Sequence, residues 1–276
     1  MSGARPMSSA RTVGLERHVR ERRAKKPLLL MAHAVVGYPS LDATWTMLEA
    51  MDEAGVDLVE LQLPFTEPIA DGPSFVKANH EAIQAGTAWQ AYFELAARAA
   101  TRFGFPVLFM GYYNSVFRMG AERFCARLSE AGMSGFILAD LPPEEADDYE
   151  QLMRQAGLCN IYLIAPTTPE ERIALIVKRG AGFIYCISRE GVTGMQEKVA
   201  GNIAQMTGKI RAYTNLPIAV GFGISNPEQA RFVAQNADAV VVGSAVVNQV
   251  AQHGRSPELV PRVTEFVKSL ASALKA

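Results

Sequence analysis

Short apolar runs alternate with amphipathic stretches along nearly the whole chain. Leu28–Val36 is apolar apart from His33 and stops at Gly37-Tyr38-Pro39. Ser40-Leu41-Asp42 then opens a helix that runs to about Glu53, with Ser as its cap and Ala54-Gly55 as its stop. Val56–Leu63 is the next strand. The beat recurs with strands near Val107–Tyr112, Gly135–Ala139, Ile161–Ile164, Phe183–Ile187, Ile218–Gly221 and Ala239–Val242. Amphipathic helical stretches lie between them, for example Ala121–Ala131, Pro169–Lys178, Pro227–Gln235 and Pro257–Leu274.

Eight strands alternating with helices predict a parallel α/β fold, a (β/α)8 TIM barrel of about 250 residues. Strands buried on both faces should be continuous and β-branched, as Ala239-Val240-Val241-Val242 is. A doubly wound open sheet carries fewer strands and a glycine-rich fingerprint after the first. Here the first strand ends in Gly-Tyr-Pro, and the barrel is the better reading. Residues 1–10 are small and polar and read as a disordered tail, and residues 11–276 as one domain. Arg11–Lys26 is basic but holds Glu16 and Glu21 and lacks an apolar core, which excludes a secretory signal. A short surface helix suits it better than a transit peptide.

Composition narrows the classes further. A net charge of −1 over 276 residues gives no global field for nucleic acid or an anionic membrane. No apolar run approaches the ~20 residues of a membrane span. The three cysteines, Cys125, Cys159 and Cys186, show no CxxC spacing, and the four histidines form no ligand pair at helical spacing. Neither a disulfide framework nor a metal site is implied.

Chemistry concentrates in residues 59–73. Strand alternation puts Leu58, Glu60 and Gln62 on one face and Val59, Leu61 and Leu63 on the other. A Glu inside an apolar strand is costly unless it has partners or a task. The following loop is stiffened by Pro64, Pro68 and Pro73 and returns a second carboxylate, Asp71, in an Asp-Gly-Pro turn. Two acids at one mouth in different surroundings can have their pKa values set apart. A plain salt bridge from Glu60 to a neighbouring cation is the structural alternative.

In a barrel, function gathers where strands end and loops begin. Those points offer His33 and Val35, Tyr112, Tyr113 and Asn114, Asp140, and Tyr185 followed by Ser188–Gly194. His33 points inward with Met31 and Val35 and reads as a satisfied pocket histidine rather than a metal ligand. Gly221-Phe222-Gly223 and Gly243-Ser244 follow strands seven and eight, where backbone N–H groups and a helix N-terminus hold phosphate in this fold. Tight turns alone are the alternative. The loop from Ser188 to about Gly201 is the best candidate for a lid, or else a plain exposed loop.

These motifs together resemble the tryptophan synthase alpha subunit family. Its strand-two signature aligns without gaps to Glu60–Pro73. Further matches are Gly37-Tyr38-Pro39, Tyr112-Tyr113-Asn114, Asp140-Leu141-Pro142-Pro143, Ala165-Pro166-Thr167-Thr168, Ser188-Arg189 with Gly191–Gly194, Gly221–Ser225 and Gly243-Ser244-Ala245. The resemblance implies a cytoplasmic lyase that cleaves indole-3-glycerol phosphate to indole and glyceraldehyde 3-phosphate, without a cofactor of its own. It further implies a beta-subunit partner in an alpha2beta2 complex. By the same resemblance Glu60 is the general acid/base and Asp71 holds the indole N–H. Tyr185, Thr193 and Tyr112 line the substrate, and Gly194, Gly223, Gly243 and Ser244 bind its phosphate. Two other readings stay open: a weakly active subunit that serves to activate a beta partner, or a lyase for another phosphorylated substrate.

The chain departs from the family's pattern at several places. Gln62 stands where a glycine is usual, Thr66-Glu67 where Ser-Asp is, His33 where an aromatic is, Val35 where a Thr is, and Gly111 where a Thr is. Gln62 shares the face of Glu60, so its amide is expected to bind the Glu60 carboxylate and favour its ionised form. The alternative is a Gln62 that points to the loop and leaves catalysis alone.

Overall fold

The computed structural model describes residues 8–187, 196–221, 233, 235–254 and 256–274. Its strands are β1 (Leu29–Val35), β2 (Leu58–Gln62), β3 (Val107–Gly111), β4 (Gly135–Leu138), β5 (Cys159–Asn160), β6 (Leu163–Ile164), β7 (Ile184–Ile187), β8 (Ile218–Gly221) and β9 (Ala239–Val242). All pair in parallel, in the order β5-β4-β3-β2-β1-β9-β8-β7-β6. The two ends of that order, β5 and β6, belong to one six-residue segment. Ile161 N–H donates to Phe136 O on one side of it, and Tyr185 N–H to Tyr162 O on the other. This segment acts as the fifth of eight barrel strands and closes the sheet on itself, so no edge is left open.

Strand alternation divides the core in two. Inside the barrel, Leu29, Met31, Leu58, Leu108, Ile137, Ile161, Phe183, Ala219, Ala239 and Val241 fill one buried cluster. The other face of the same strands, with Leu30, Ala32, Val59, Leu61, Phe109, Phe136, Val220 and Val240, packs under the helices. Each such buried aliphatic side chain contributes about 1.5–3 kcal/mol. The helices are α1 (Ser8–Arg23), α2 (Leu41–Ala54), α3 (Pro73–Gln84), α4 (Trp89–Arg102), α5 (Tyr113–Met119), α6 (Ala121–Glu130), α7 (Asp147–Ala156) and α8 (Glu170–Arg179). After them come α9 (Gln196–Arg211), α10 (Ser244–His253) and α11 (Leu259–Ala273). The start of α2 is as the sequence predicts. Ser40 Oγ accepts from Ala43 N–H at 3.1 Å, and Gly55 ends the helix at φ 78°, where a Cβ would be strained.

Three expectations change. Ser8–Ala10, assigned to the tail, are the first turn of α1. The helix is not a surface ornament either, since Leu15 and Val19 are buried against the lower interior of the barrel. Its basic end grips two acids that precede strands: Arg22 and Lys26 bind Asp57, and Arg23 lies 3.6 Å from Asp238. The lid candidate is shorter than read, because Gln196–Gly201 are already helical in α9. Gly111, where the family usually has Thr, points outward: a Cβ there would stand 2.7 Å from the outward-facing Phe109 ring. The expected helix Pro227–Gln235 and the loop 188–195 lie outside the described residues.

Candidate active site

The parallel pairing of β1 with β2 sets the site. It places His33 beside Glu60 and Val35 beside Gln62 on the inward faces of adjacent strands. The loop after β2 then turns back over the barrel mouth. It is held by hydrogen bonds from Asp71 N–H to Pro68 O at 2.9 Å and from Ala70 N–H to the Tyr112 hydroxyl at 3.2 Å. The proposed Asp-Gly-Pro turn is the entry to α3, with Gly72 as cap and Pro73 in the first helical position.

These elements surround a cavity of about 220 Å³ lined by His33, Glu60, Asp71, Phe75, Tyr185 and Gly243, among others. Glu60 is buried. Its Oε1 lies 2.8 Å from His33 Nδ1 and accepts from the Tyr185 hydroxyl at 3.4 Å. Its Oε2 is buried with no hydrogen-bond partner among the described residues. A buried carboxylate oxygen left unpartnered is costly, and such a group is characteristic of a site that receives a ligand donor. The expected bond from Gln62 to Glu60 does not form. Gln62 Nε2 donates to Asp71 Oδ2 at 2.6 Å instead, and Gln62 Oε1 lies 2.9 Å from His33 Nε2. Nor does Gln62 point idly to the loop, for it is wholly buried and joins the two halves of the site.

Burial pushes the Asp71 carboxyl up from its ordinary value, against the opposing pull of Gln62, His33 and Tyr112. Burial alone would pull His33 down. The Glu60 charge, together with hydrogen bonds to Glu60 and Gln62, outweighs it and leaves the imidazole raised. Burial also lifts the Tyr185 phenol well above its usual value, so it acts here as a neutral hydroxyl. Sequence reasoning missed Asn79 and Phe75. Asn79 accepts from Phe65 N–H at 2.9 Å and donates to Phe75 O at 2.8 Å and Asp71 Oδ2 at 3.4 Å, so it ties the loop to α3. The Phe75 ring meets His33 edge-on at 4.7 Å. A buried Asn on the apolar Ala78–Ala82 face of α3 was the readable signal.

Gly243 and Ser244 stand at the N-terminus of α10 on the cavity wall. A Cβ at Gly243 would meet Phe75 at 3.0 Å, so the residue must stay small. Tyr112, Tyr185, Glu60 and Asp71 all reach this mouth. Thr193, Gly194 and Gly223 lie outside the described residues. No group of three or more metal-ligating side chains is present among the described residues.

Residues 19–275 match the family model of the tryptophan synthase alpha chain. The chain belongs to that family. The tryptophan synthase alpha chain of Syntrophotalea carbinolica is 43% identical over 93% of this chain and 99% of its own length. That of Desulforapulum autotrophicum is 41% identical over 93% and 100%. Among solved structures, the alpha subunit from Legionella pneumophila superposes with a TM-score of 0.85 at 30% identity over 96% and 98% of the two chains. As a tryptophan synthase alpha chain the protein is a lyase that cleaves indole-3-glycerol phosphate in tryptophan biosynthesis. Its substrate is phosphorylated, and its family works with a beta subunit. No helix among the described residues is long and apolar enough to cross a membrane.

Proposed function

We propose that Glu60 and Asp71 carry the cleavage, with Glu60 as general acid/base and Asp71 as the anion opposite the ring nitrogen. The observation behind this reading is the pair's asymmetry. Glu60, on the cavity wall, has one buried oxygen with no partner among the described residues, while Asp71 has its Oδ2 held by Gln62. In the reaction the indole carbon that bears the glycerol chain gains a proton, and positive charge spreads to the ring nitrogen. The adjacent hydroxyl loses its proton as the carbon–carbon bond breaks, giving indole and glyceraldehyde 3-phosphate. A carboxylic acid at Glu60 supplies the first proton and, once ionised, accepts the second, so the enzyme returns to its starting state. Asp71 hydrogen-bonds the ring N–H and stabilises the developing cation.

The amides of Gly243 and Ser244 at the α10 N-terminus suit the phosphate, and the positive end of that helix favours it. Gly194, Gly223 and Thr193 are assigned by resemblance to the same phosphate and lid. Tyr185 and Tyr112 position Glu60 and Asp71 respectively. For the partner, the beta subunit of an alpha2beta2 complex, the supporting feature is an apolar rim beside the active-site loop, where Ile69 is 78% and Phe117 67% exposed. The cytoplasm is the corresponding compartment. The test is Glu60→Gln in steady-state cleavage of indole-3-glycerol phosphate, with and without a beta subunit. Turnover should fall at least a hundredfold with KM within a few-fold. More than a tenth of wild-type kcat would refute the assignment.

A further inference from the structure

The buried chain Glu60–His33–Gln62–Asp71 constrains where its hydrogens are. Gln62 Nε2 lies 2.6 Å from Asp71 Oδ2, so with Asp71 ionised the amide can only donate there. That turns the carbonyl oxygen of Gln62 toward His33, and an oxygen acceptor 2.9 Å away requires a hydrogen on Nε2. The other ring nitrogen, Nδ1, faces a carboxylate oxygen at 2.8 Å. A neutral imidazole has one donor and one acceptor nitrogen, and here the donor role is already taken by Nε2. Only two arrangements satisfy every contact. Either His33 is an imidazolium beside an ionised Glu60, or Glu60 is a carboxylic acid donating to a bare Nδ1. The two differ only in the position of one proton along one hydrogen bond.

We infer that His33 is a positioning residue that stores, in its hydrogen bond to Glu60, the proton that Glu60 delivers to the indole carbon. Gln62 and Asp71 hold the imidazole in the one tautomer that can release it. The inference rests on the proposed role of Glu60 and deepens it. In the resting state the Nδ1–H bond of His33 is intact and Glu60 is ionised. For reaction that bond breaks and the Oε1–H bond forms, leaving a neutral imidazole with its hydrogen on Nε2. The carboxyl proton goes to the ring carbon, and the substrate hydroxyl returns one proton to Glu60 and thence to Nδ1. No proton is gained or lost overall. Among the described residues the titratable groups facing His33 are Glu60 on β2, Asp71 beyond it through Gln62, and the neutral phenol of Tyr185 on β7. Phe75 from α3 and Gly243 after β9 cover its remaining sides with apolar atoms. An ordinary carboxylic acid would be almost wholly ionised at neutral pH, and sharing with the imidazole keeps a proton at hand there.

The test has a kinetic and a spectroscopic arm on the full chain. His33→Asn keeps an N–H near Glu60 but cannot store a proton. Its kcat at pH 7.5 should fall at least tenfold with KM within threefold. The alkaline limb of its kcat/KM profile should move at least one pH unit lower, so that activity is partly recovered in mild acid. A profile scaled down in parallel, or left unchanged, would overturn the inference. The second arm reads the ring nitrogens of His33 by 15N spectroscopy in wild type and Glu60→Gln, and does not depend on the variant folding like wild type. Nε2 should carry hydrogen from pH 5 to 8, Nδ1 should titrate above the ordinary histidine value of about 6.5, and Glu60→Gln should lower that titration. A bare Nε2 in wild type at pH 7 would refute the stored proton. If Glu60→Gln keeps its turnover, the role of Glu60 itself fails. If it loses turnover while His33→Asn keeps the wild-type profile, only the present inference fails.

Discussion

Asp57, just before β2, and Glu60, within it, stand three residues apart, and their exposures are 1% and 2%. Their surroundings are opposite in kind. At the base of the barrel Asp57 is held by Arg22 at 2.7 Å, by Lys26 at 2.8 Å and by the Leu30 N–H at 3.0 Å. These contacts tie Asp57 to the basic end of α1 and clamp that helix under the barrel. At the mouth Glu60 meets a titratable imidazole, a long contact from a phenol and an oxygen with no described partner. Burial does not by itself make an acid catalytic. A buried acid with fixed cations is a fastener, whereas one with a titratable partner and a free oxygen can exchange protons.

The largest effects should separate the two acids by what each one breaks. Glu60→Gln is expected to cost two to four decades in kcat with little change in the urea midpoint. Asp57→Asn should leave kcat within about twofold in the folded enzyme. It should cost about 2 kcal/mol of stability, less than the roughly 3–5 kcal/mol of a fully buried pair because Arg22 and Lys26 reach water. Stability and turnover measured on both variants would sharpen the contrast, and a crossed pattern would dissolve it.

Leu15→Ala tests the base from its apolar side. It removes a side chain buried among the lower barrel residues and should destabilise by about 2–3 kcal/mol with unchanged KM. Ser244→Asp tests the mouth. A like charge at the α10 N-terminus should weaken a phosphorylated inhibitor about tenfold, or about 1.4 kcal/mol, and its dephosphorylated analogue hardly at all. Equal weakening of both would place the anion elsewhere.

The smallest effect expected is in the thermal stability of Asp71→Asn. The folded Asp71 carboxyl is raised above the unfolded value near 3.8, chiefly by burial. Native Asp71 therefore holds its proton more tightly than unfolded Asp71, and stability is lost as pH climbs from the unfolded value through the folded one. Asn in its place should raise Tm at pH 7 by a few degrees or less while lowering the rate. The gain should vanish on acidification below about pH 4, where the carboxyl is protonated in both states. A gain independent of pH would mean that the ionisation of Asp71 is not its source.

Much of this was legible along the chain. The strands from Leu29–Val35 to Ala239–Val242 lie within a residue or two of their expected places, because a strand buried on both faces must be written in continuous apolar residues. Glu60, Asp71, Gly243 and Ser244 could be read at the mouth because strand alternation and strand ends are local properties. The helix α1 was misjudged because Leu15 and Val19 are two of a few scattered apolar residues in a charged stretch. Their burial depends on a barrel floor made by eight distant strands. The closure through residues 159–164 was also hidden, since two short ladders to different neighbours look like one strand in sequence.

What the sequence determined by itself was the alternation of buried segments, the inward face of Glu60 and Gln62, and a family signature dense enough to name the reaction. The first two follow from spacing along single strands, and the reaction follows from the resemblance carried by motifs along the whole chain. Only the tertiary structure decided that Gln62 serves Asp71 and His33 rather than Glu60. Gln62 and Glu60 are neighbours in sequence, but two steps along a pleated strand separate them by nearly 7 Å, roughly twice the strand rise per residue. The lateral register of β1 against β2 sets His33 beside Glu60, with its ring close enough to reach both side chains. Pairing between strands is chosen by the closure of the whole barrel, and no segment carries that information alone.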